Sequence, residues 1–340
     1  MSSPSSVPFA ISLGDPAGVG PEVVAKAWTM REARALPCFF AVGDPASIAA
    51  VWNGPLREIA DPEDALKAFP DALPCLRVTD AGPVTPGEAS VDGARAALQA
   101  LEAVVGLARS GSAAGIVTAP VGKTQLYGVG FSHPGQTEFI AERCGVSAEN
   151  AVMMLAGPSL RVVPITIHLP LADVPAALTI DLIRARTIAT ARGLQRNFGI
   201  AKPRLVMTGL NPHAGEQGAL GREEIDIIAP AIASLRAEGI DVTGPHAADA
   251  LFHARARKTY DACLCMYHDQ ALIPVKTLHF DDGVNMTLGL PIIRTSPDHG
   301  TAFGIAGTNS ANPGAMIAAI RMAGDAALHR RNRDAASACD

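Results

Sequence analysis

Two kinds of hydrophobic pattern recur along the chain. Short apolar runs, bounded by glycine, proline or polar clusters, predict buried strands at residues 9–13, 39–43, 114–119, 161–167, 204–210 and 263–267. Longer segments with apolar residues three or four positions apart predict helices at residues 92–110, 179–198, 221–238 and 313–330. Buried strands and amphipathic helices therefore both contribute to the predicted core.

Composition narrows the class of protein. The chain has 340 residues, 48% hydrophobic and 4% aromatic, and its richness in alanine, glycine and valine suits an α/β enzyme of two domains. A net charge of -5 and a pI near 6.0 leave no basic stripe for a phosphate backbone, so we expect no nucleic-acid partner. The N-terminus lacks the features of a signal peptide, and no apolar run has membrane-spanning length, which predicts a cytoplasmic protein without a membrane partner.

The six cysteines show no CxxC spacing and lie mostly inside apolar segments. We interpret them as small hydrophobic residues in a reducing compartment and assign none of them to a metal.

Three histidines occur at or just after the ends of predicted strands: His168, His213 and His268. In open α/β sheets ligands bind beyond the carboxyl ends of the strands, so this placement brings the three imidazoles toward one crevice. Three histidines with open positions are typical of a catalytic metal site. The alternative is a structural metal site in a non-catalytic small-ligand-binding protein. Structural zinc sites usually have four protein ligands, often including cysteine, so the pattern favours catalysis.

Side chains suited to an anion follow His268 closely. Lys276, Asn285 and Arg294 lie within the next 30 or so residues, and Thr137 begins a predicted helix whose free amides suit a phosphate or carboxylate. The triplet at residues 122–124 is not a P-loop, because Val117 stands where its first glycine belongs. We therefore predict a small phosphorylated or carboxylated substrate beside a metal ion.

Two carboxylates are candidates for orienting a metal ligand or relaying a proton, namely Asp249 and Asp269. For Asp249, capping of the following helix is an equally compatible role.

Several long motifs, in order along nearly the whole chain, carry a family resemblance. They are GDPAGVGPE at residues 14–22, VTAP at 117–120, TEF at 137–139, TIHLPL at 166–171, GLNPHAGE at 209–216, YHDQ at 267–270 and GVNMTLGLPIIRTSPDHGTA at 283–302. With these motifs the sequence resembles the 4-hydroxythreonine-4-phosphate dehydrogenase family of pyridoxal phosphate biosynthesis, which has an isocitrate and isopropylmalate dehydrogenase-like fold.

The resemblance implies a two-domain α/β fold with central mixed sheets flanked by helices. The first domain would comprise residues 1–125 and 300–340 with part of the cofactor site, the second residues 126–299 with the metal ligands and dimer interface, and the active site would lie in the cleft between them. The family's metal ligands match His168, His213 and His268, and its substrate-binding residues match Thr137, Lys276, Asn285 and Arg294. A homodimer with a shared active site, in which the partner subunit contributes His268, is also implied. The resemblance also implies NAD or NADP, at positions that the motifs do not identify. Ligation by histidines with few carboxylates suits Zn²⁺ or Co²⁺, and the resemblance also admits Mg²⁺.

The implied reaction is the metal-dependent, NAD(P)-linked oxidation of 4-phosphohydroxy-L-threonine to 2-amino-3-oxo-4-(phosphooxy)butanoate. This β-keto acid then decarboxylates to 3-amino-2-oxopropyl phosphate. The chain departs from the family pattern at Gln136, where the family has histidine, and at residues 247–250, where Ala-Ala-Asp-Ala replaces Pro-Ala-Asp-Thr. Gln136 can hydrogen-bond a substrate phosphate but cannot carry a positive charge. A paralogous decarboxylating dehydrogenase, acting on a cyclic dihydrodiol carboxylate or another hydroxy acid, is the alternative.

Overall fold

The computed structural model describes residues 7–337, and these form two compact units. Unit 1 comprises the described residues up to Gly145 together with Leu290–Arg331, and unit 2 comprises Val146–Gly289 and the last turns of the C-terminal helix. The chain passes between units at residues 145/146, 289/290 and 331/332, whereas the expected divide lies at 125/126 and 299/300. The expectation for the first six residues and that for Cys339 fall outside the described residues.

Strands and helices share the chain from end to end. Within residues 7–337 the strands are β1 (Phe9–Ser12), β2 (Phe39–Gly43), β3 (Leu56–Ile59), β4 (Leu73–Arg77), β5 (Ile116–Thr118), β6 (Val152–Gly157), β7 (Leu160–Pro164), β8 (Leu205–Thr208), β9 (Val242–His246), β10 (Ala262–Cys265), β11 (Val284–Leu288) and β12 (Arg294–Pro297). In the same range the α-helices are α1 (Gly20–Thr29), α2 (Pro45–Ala49), α3 (Ala65–Ala68), α4 (Val91–Ser110), α5 (Lys123–Tyr127), α6 (Gln136–Arg143), α7 (Val174–Ala177), α8 (Ile180–Phe198), α9 (Ala229–Ala237), α10 (His268–Leu278) and α11 (Gly314–Ser337).

Unit 1 contains a wholly parallel sheet in the order β3-β4-β2-β1-β5-β12. Its central strands are apolar on both faces, and every residue of β1 and β2 is buried. Parallel sheets need cover on both faces, which α1, α4 and α11 supply with their buried alanine, valine and isoleucine side chains. Ser90 caps α4 by accepting from the amide of Gly93, and Gly111 ends it in the left-handed region at φ 84°.

Unit 2 contains a mixed sheet in the order β11-β6-β7-β10-β8-β9. Strand β6 is antiparallel to both of its neighbours, and β7, β10, β8 and β9 run parallel. A side chain of Thr179 caps α8, and Gly199 ends that helix at φ 66°. The α/β prediction with a large mixed sheet flanked by helices is therefore confirmed.

The predicted strands agree well with the observed ones, and one predicted helix differs in part. All six predicted strands match β1, β2, β5, β7, β8 and β10; β2 has the predicted ends, and the others differ by at most three residues at an end. The helix predicted at 221–238 is present, but its first part, Glu224–Ile228, is a π-helical turn that leads directly into α9. Pro230 has no N–H for the carbonyl of Asp226, which favours this wider turn.

Other elements had no prediction from the sequence. Among them are β3, β4, β6, β9, β11, β12 and α10 and the short helices α2, α3, α5 and α7. Strand β12, with the sequence RTSP, has poor strand propensity and forms because it pairs with β5.

The five described cysteines are free thiols, and Cys75, Cys263 and Cys265 are buried. Burial raises the pKa of the Cys38 thiol to about 12. These cysteines therefore behave as the small hydrophobic residues that the sequence predicted. Across residues 7–337, no helix combines the length and the apolar character that a membrane crossing requires.

Candidate active site

The three predicted histidines follow three adjacent strands of unit 2. His168 comes after β7, His268 after β10 and His213 after β8, and β10 pairs in parallel with both of the other strands. The carboxyl ends of parallel neighbours meet at one edge of a sheet, so all three histidines belong to the same edge.

His168 and His268 are direct neighbours at that edge, with ring centroids 5.7 Å apart. The segments that carry them are tied together, because the hydroxyl of Thr166 donates to the carbonyl of Met266 over 2.7 Å. His168 has φ 53°, a left-handed conformation that is uncommon for residues other than glycine. This pair forms within one chain, and the expectation that a partner subunit supplies His268 to a shared active site stays a prediction.

His213 lies in an unusual loop. Five consecutive residues have positive φ values between 43° and 79°, namely His213, Ala214, Gly215, Glu216 and Gln217. This conformation costs about 1 to 2 kcal/mol for each residue other than glycine. The buried carboxylate of Glu224 holds the loop entrance by accepting from the amides of Leu210 and Asn211 over 2.8 and 2.7 Å. Backbone strain in a loop that is stabilised by residues outside the loop is typical of functional sites.

The histidines do not all converge. The side chain of His213 is 72% exposed. Among residues 7–337, no three histidine, cysteine, aspartate or glutamate side chains stand close enough together to hold a metal ion. The structure thus assembles the pair His168–His268 but does not add His213 to it.

The donor chemistry of two histidines nevertheless suits a metal. His268 donates from Nδ1 to Oδ1 of Asp269 over 2.7 Å, and His213 makes the corresponding contact with Oε2 of Glu216 at 3.3 Å. A carboxylate on Nδ1 fixes the tautomer and leaves Nε2 as the lone-pair donor, which is the usual arrangement of metal-binding histidines. The imidazoles present therefore fit a divalent metal of the zinc or cobalt type.

Gln270 holds in place the edge of the unit 2 sheet that carries the histidines. The sequence alone does not predict this role. Its Oε1 accepts from the amide of Met266 and the hydroxyl of Thr208, both over 2.7 Å, and its Nε2 donates to the carbonyl of Gly209 over 2.8 Å. One side chain thus links the start of α10 to the end of β8. Gln270 belongs to the YHDQ motif, but within that motif only the histidine and the aspartate are residue types that suggest metal binding or proton transfer.

Unit 1 holds a separate cluster around Arg294, which is 4% exposed at the start of β12. Its Nη2 donates to Thr118 Oγ1 over 2.9 Å and to Gln136 Oε1 over 3.3 Å, and its Nη1 lies 3.5 Å from Thr137 Oγ1. Burial lowers the pKa of Arg294 to about 10, an effect that the carboxylate of Glu138 opposes. The predicted residues Gln136, Thr137 and Arg294 therefore come together, and Thr118 joins them.

Gln136 and Thr137 are the first two residues of α6. The Gln136 side chain lies between Arg294 and the carbonyl of Ala119, to which its Nε2 donates over 3.3 Å. A neutral amide can accept from a guanidinium and donate to a carbonyl at once, whereas a protonated histidine could not accept.

The remaining predicted residues lie in unit 2. Lys276 is half-buried in the last turn of α10, and Asn285 lies in β11 with a buried Oδ1 that lacks a hydrogen-bond partner in the described part of the chain. Asp249 is exposed inside a one-turn 3₁₀ helix that contacts the His213 loop, and Ala247 occupies the N-cap position. Asp249 therefore does not cap that helix. Asp269, also exposed, is engaged by His268.

Comparison with known proteins identifies the family. Residues 35–323 match the family described as pyridoxal phosphate biosynthetic protein PdxA. The chain belongs to the PdxA family. A relative from Zymomonas mobilis, named 4-hydroxythreonine-4-phosphate dehydrogenase, is 57% identical over 324 residues, covering 95% of this chain and 97% of its own. The family resemblance deduced from the motifs is confirmed, and this PdxA chain is an oxidoreductase.

Two solved structures resemble this chain over most of its length. The crystal structure of 4-hydroxythreonine-4-phosphate dehydrogenase from Klebsiella pneumoniae superposes with a TM-score of 0.85 at 36% identity, covering 96% of this PdxA chain and 99% of that one. A terephthalate 1,2-cis-dihydrodiol dehydrogenase from Burkholderia xenovorans superposes with a TM-score of 0.65 at 32% identity, covering 94% and 98%.

Proposed function

We propose that the chain is a metal-dependent 4-hydroxythreonine-4-phosphate dehydrogenase. It oxidises 4-phosphohydroxy-L-threonine with NAD or NADP to 2-amino-3-oxo-4-(phosphooxy)butanoate, releasing NAD(P)H and a proton. Loss of carbon dioxide then gives 3-amino-2-oxopropyl phosphate. The observation that carries the proposal is the 57% identity, over 95% of the chain, to a relative of that name.

His168, His213 and His268 would hold the metal, with Zn²⁺, Co²⁺ and Mg²⁺ as candidates. When bound, such an ion acts as a Lewis acid toward the substrate hydroxyl and toward the carbonyl formed from it. Asp269 and Glu216 keep the imidazoles of His268 and His213 in the tautomer with a free Nε2.

The cluster around Arg294 would bind an anionic group of the substrate. A buried guanidinium is suited to this role because it presents donors in a fixed plane to phosphate or carboxylate oxygens. Each charge-assisted hydrogen bond contributes about 1.5 to 3 kcal/mol. Gln136 and Thr137 add uncharged hydrogen-bonding groups beside the guanidinium.

Lys276 and Asn285 would bind the remaining polar groups of the substrate. The ammonium of Lys276 supplies positive charge, and the amide of Asn285 fixes orientation. Its buried Oδ1 is an acceptor suited to an amino or hydroxyl donor of the substrate. Asp249 and Asp269 are the carboxylates available to take the hydroxyl proton.

We also propose a homodimer. Ile273, Leu278 and Phe280 are 64%, 42% and 77% exposed on one segment of unit 2, and large apolar side chains so exposed are typical of an interface. Light scattering on the purified protein should give twice the chain mass of 35.1 kDa.

A second candidate is a decarboxylating dehydrogenase for cyclic dihydrodiol carboxylates. Two observations favour it: Gln136 in place of the family's histidine, and the similarity to the terephthalate dihydrodiol dehydrogenase. A non-phosphorylated carboxylate carries less charge than a phosphate and needs fewer cationic partners.

One assay tests the proposal. Purified protein is given 4-phosphohydroxy-L-threonine and NAD or NADP, and reduction of the nicotinamide is followed by absorbance, with and without chelator and added Zn²⁺, Co²⁺ or Mg²⁺. We expect turnover that chelator abolishes and metal restores. Turnover only with a dihydrodiol carboxylate would establish the second candidate, and none with either substrate would overturn both.

A further inference from the structure

The opposite edge of the unit 2 sheet contains a cleft of about 500 Å³. Arg161 is the second residue of β7, and Arg204 and Asp261 directly precede β8 and β10. These three residues line the cleft, so it lies at the amino ends of the strands whose carboxyl ends carry the histidines. The four residues of β10 separate the two edges by about 13 Å, at about 3.3 Å per residue.

Cationic side chains dominate the cleft. Arg161, Arg204, Arg257 and Lys258 line it together with Asp261. Arg204 forms an ion pair with the carboxylate of Asp261, donating to Oδ1 over 2.9 Å and to Oδ2 over 3.2 Å. Burial of Asp261 opposes its ionisation, but the hydrogen bonds from Arg204 outweigh this and lower its pKa.

The other three cations have no such partner. In the described part of the chain, no carboxylate lies within 4.0 Å of the charged nitrogens of Arg161, Arg257 or Lys258. Arg161 packs 4.7 Å from the ring centroid of Phe198, and burial lowers its pKa. The charge of Asp261 opposes this shift, and Nη1 of Arg161 donates to the backbone carbonyl of Asp261 over 3.2 Å. Arg161 therefore shares with Arg204 the single carboxylate of the cleft, and a bound anion would offset more of the cost of its desolvation.

Arg257 carries an unused donor. Its Nε is buried without an acceptor among the described residues, while its Nη1 donates to the hydroxyl oxygen of Ser159. Ser159 is held in turn by Nε2 of His279, at 2.8 Å from its hydroxyl oxygen. A guanidinium fixed in this way, with a donor to spare, is preorganised for an anion.

We propose that this cleft is a second anion site, distinct from the histidine edge, which binds a small phosphate-bearing molecule through Arg257, Lys258 and Arg161. A phosphate group suits it because three positively charged side chains line the cleft besides the Arg204–Asp261 ion pair, and a phosphate offers up to two negative charges with several acceptor oxygens. Free phosphate and a phosphate monoester share this chemistry, and the cleft has room for either.

Isothermal titration with inorganic phosphate, and separately with glycerol 3-phosphate, tests the site at constant ionic strength. Arg257→Gln should remove one binding event per chain, or weaken it at least tenfold. Arg255→Gln is the matched control, because Arg255 is exposed in the same segment but does not line the cleft. It should change the affinity by less than twofold. Tighter binding of the ester would identify an organic ligand, and tighter binding of phosphate an ion site.

Three results would overturn the proposal. They are unchanged phosphate binding in Arg257→Gln, an equal loss in Arg255→Gln, and a tenfold rise in KM for the phosphorylated substrate in Arg257→Gln, which would assign the residue to the substrate site. Circular dichroism checks folding. If Arg257→Gln does not fold, Lys258→Gln removes an exposed cation of the same cleft, and the same losses are expected there.

Discussion

Arg294 and Thr118 are joined across two parallel strands of unit 1, the arginine donating from Nη2 to the threonine hydroxyl over 2.9 Å. The bond fixes one end of a guanidinium that is 4% exposed. Strand pairing brings the two residues together although 176 positions separate them in the chain. A rigid, partly desolvated cation of this kind is suited to bind an anion.

Replacement of Arg294 by lysine should raise KM for 4-phosphohydroxy-L-threonine about 10- to 100-fold. Lysine keeps the charge but loses the planar donor pair, at a cost of about 1.5 to 3 kcal/mol. Steady-state kinetics measures the change. Arg109→Lys, an exposed arginine in α4, is the control and should leave KM unaltered. An unchanged KM in Arg294→Lys would remove Arg294 from substrate binding.

Gln136→His should make KM dependent on pH. Arg294 keeps its charge across pH 6 to 9, because burial lowers its pKa only to about 10, and Gln136 has no proton to titrate in that range. A histidine at position 136 would gain charge below its pKa of about 6.5, and a bound phosphate would raise that pKa.

KM of Gln136→His should therefore fall as pH decreases from 8 to 6, relative to the unmodified protein. Proximity to the Arg294 guanidinium opposes protonation, so the fall should be about tenfold at most. Parallel pH profiles of both proteins measure it, and coincident profiles would contradict the prediction.

Asp269→Asn should weaken metal binding about 10- to 100-fold without unfolding the protein. Asp269 is 70% exposed, so its loss disturbs no core packing, but the Nδ1 proton of His268 would lose its anionic acceptor. Titration of metal-free protein with Zn²⁺ measures the affinity. Asp71→Asn, at an exposed site in unit 1, is the control. Equal affinities for the two variants would exclude a role of Asp269 at the metal.

Gln270→Leu should lower the free energy of unfolding by about 2 to 4 kcal/mol, because the amide of Met266 and the carbonyl of Gly209 lose their partner. Urea denaturation measures this change. Gln270→Glu keeps an oxygen at the position of Oε1, which accepts from Met266 and Thr208, and loses only the donor to Gly209, so a smaller loss is expected. If Gln270→Leu were as stable as the unmodified protein, water would be making the hydrogen bonds that the Gln270 side chain makes.

Local sequence was sufficient for the elements with strong periodicity. The apolar runs of β1 and β2, and the capped, amphipathic pattern of α8, specify their conformation without help from distant residues. The strand-end placement of His168, His213 and His268 could also be predicted, because it depends only on where each strand stops. The family followed from motif order alone.

Tertiary structure decided the rest. Strands β11 and β12 form only where their neighbours offer unpaired hydrogen-bonding groups, and propensity cannot report that. Residues that position the candidate site, such as Gln270, Glu224 and Thr118, act through partners up to 176 positions away. The basic cleft likewise combines Arg161 and Arg204, from strand starts that parallel pairing aligns, with Arg257 and Lys258 from the turn before β10. A sequence encodes residue types and local period, but distances between remote side chains exist only after the sheets have formed.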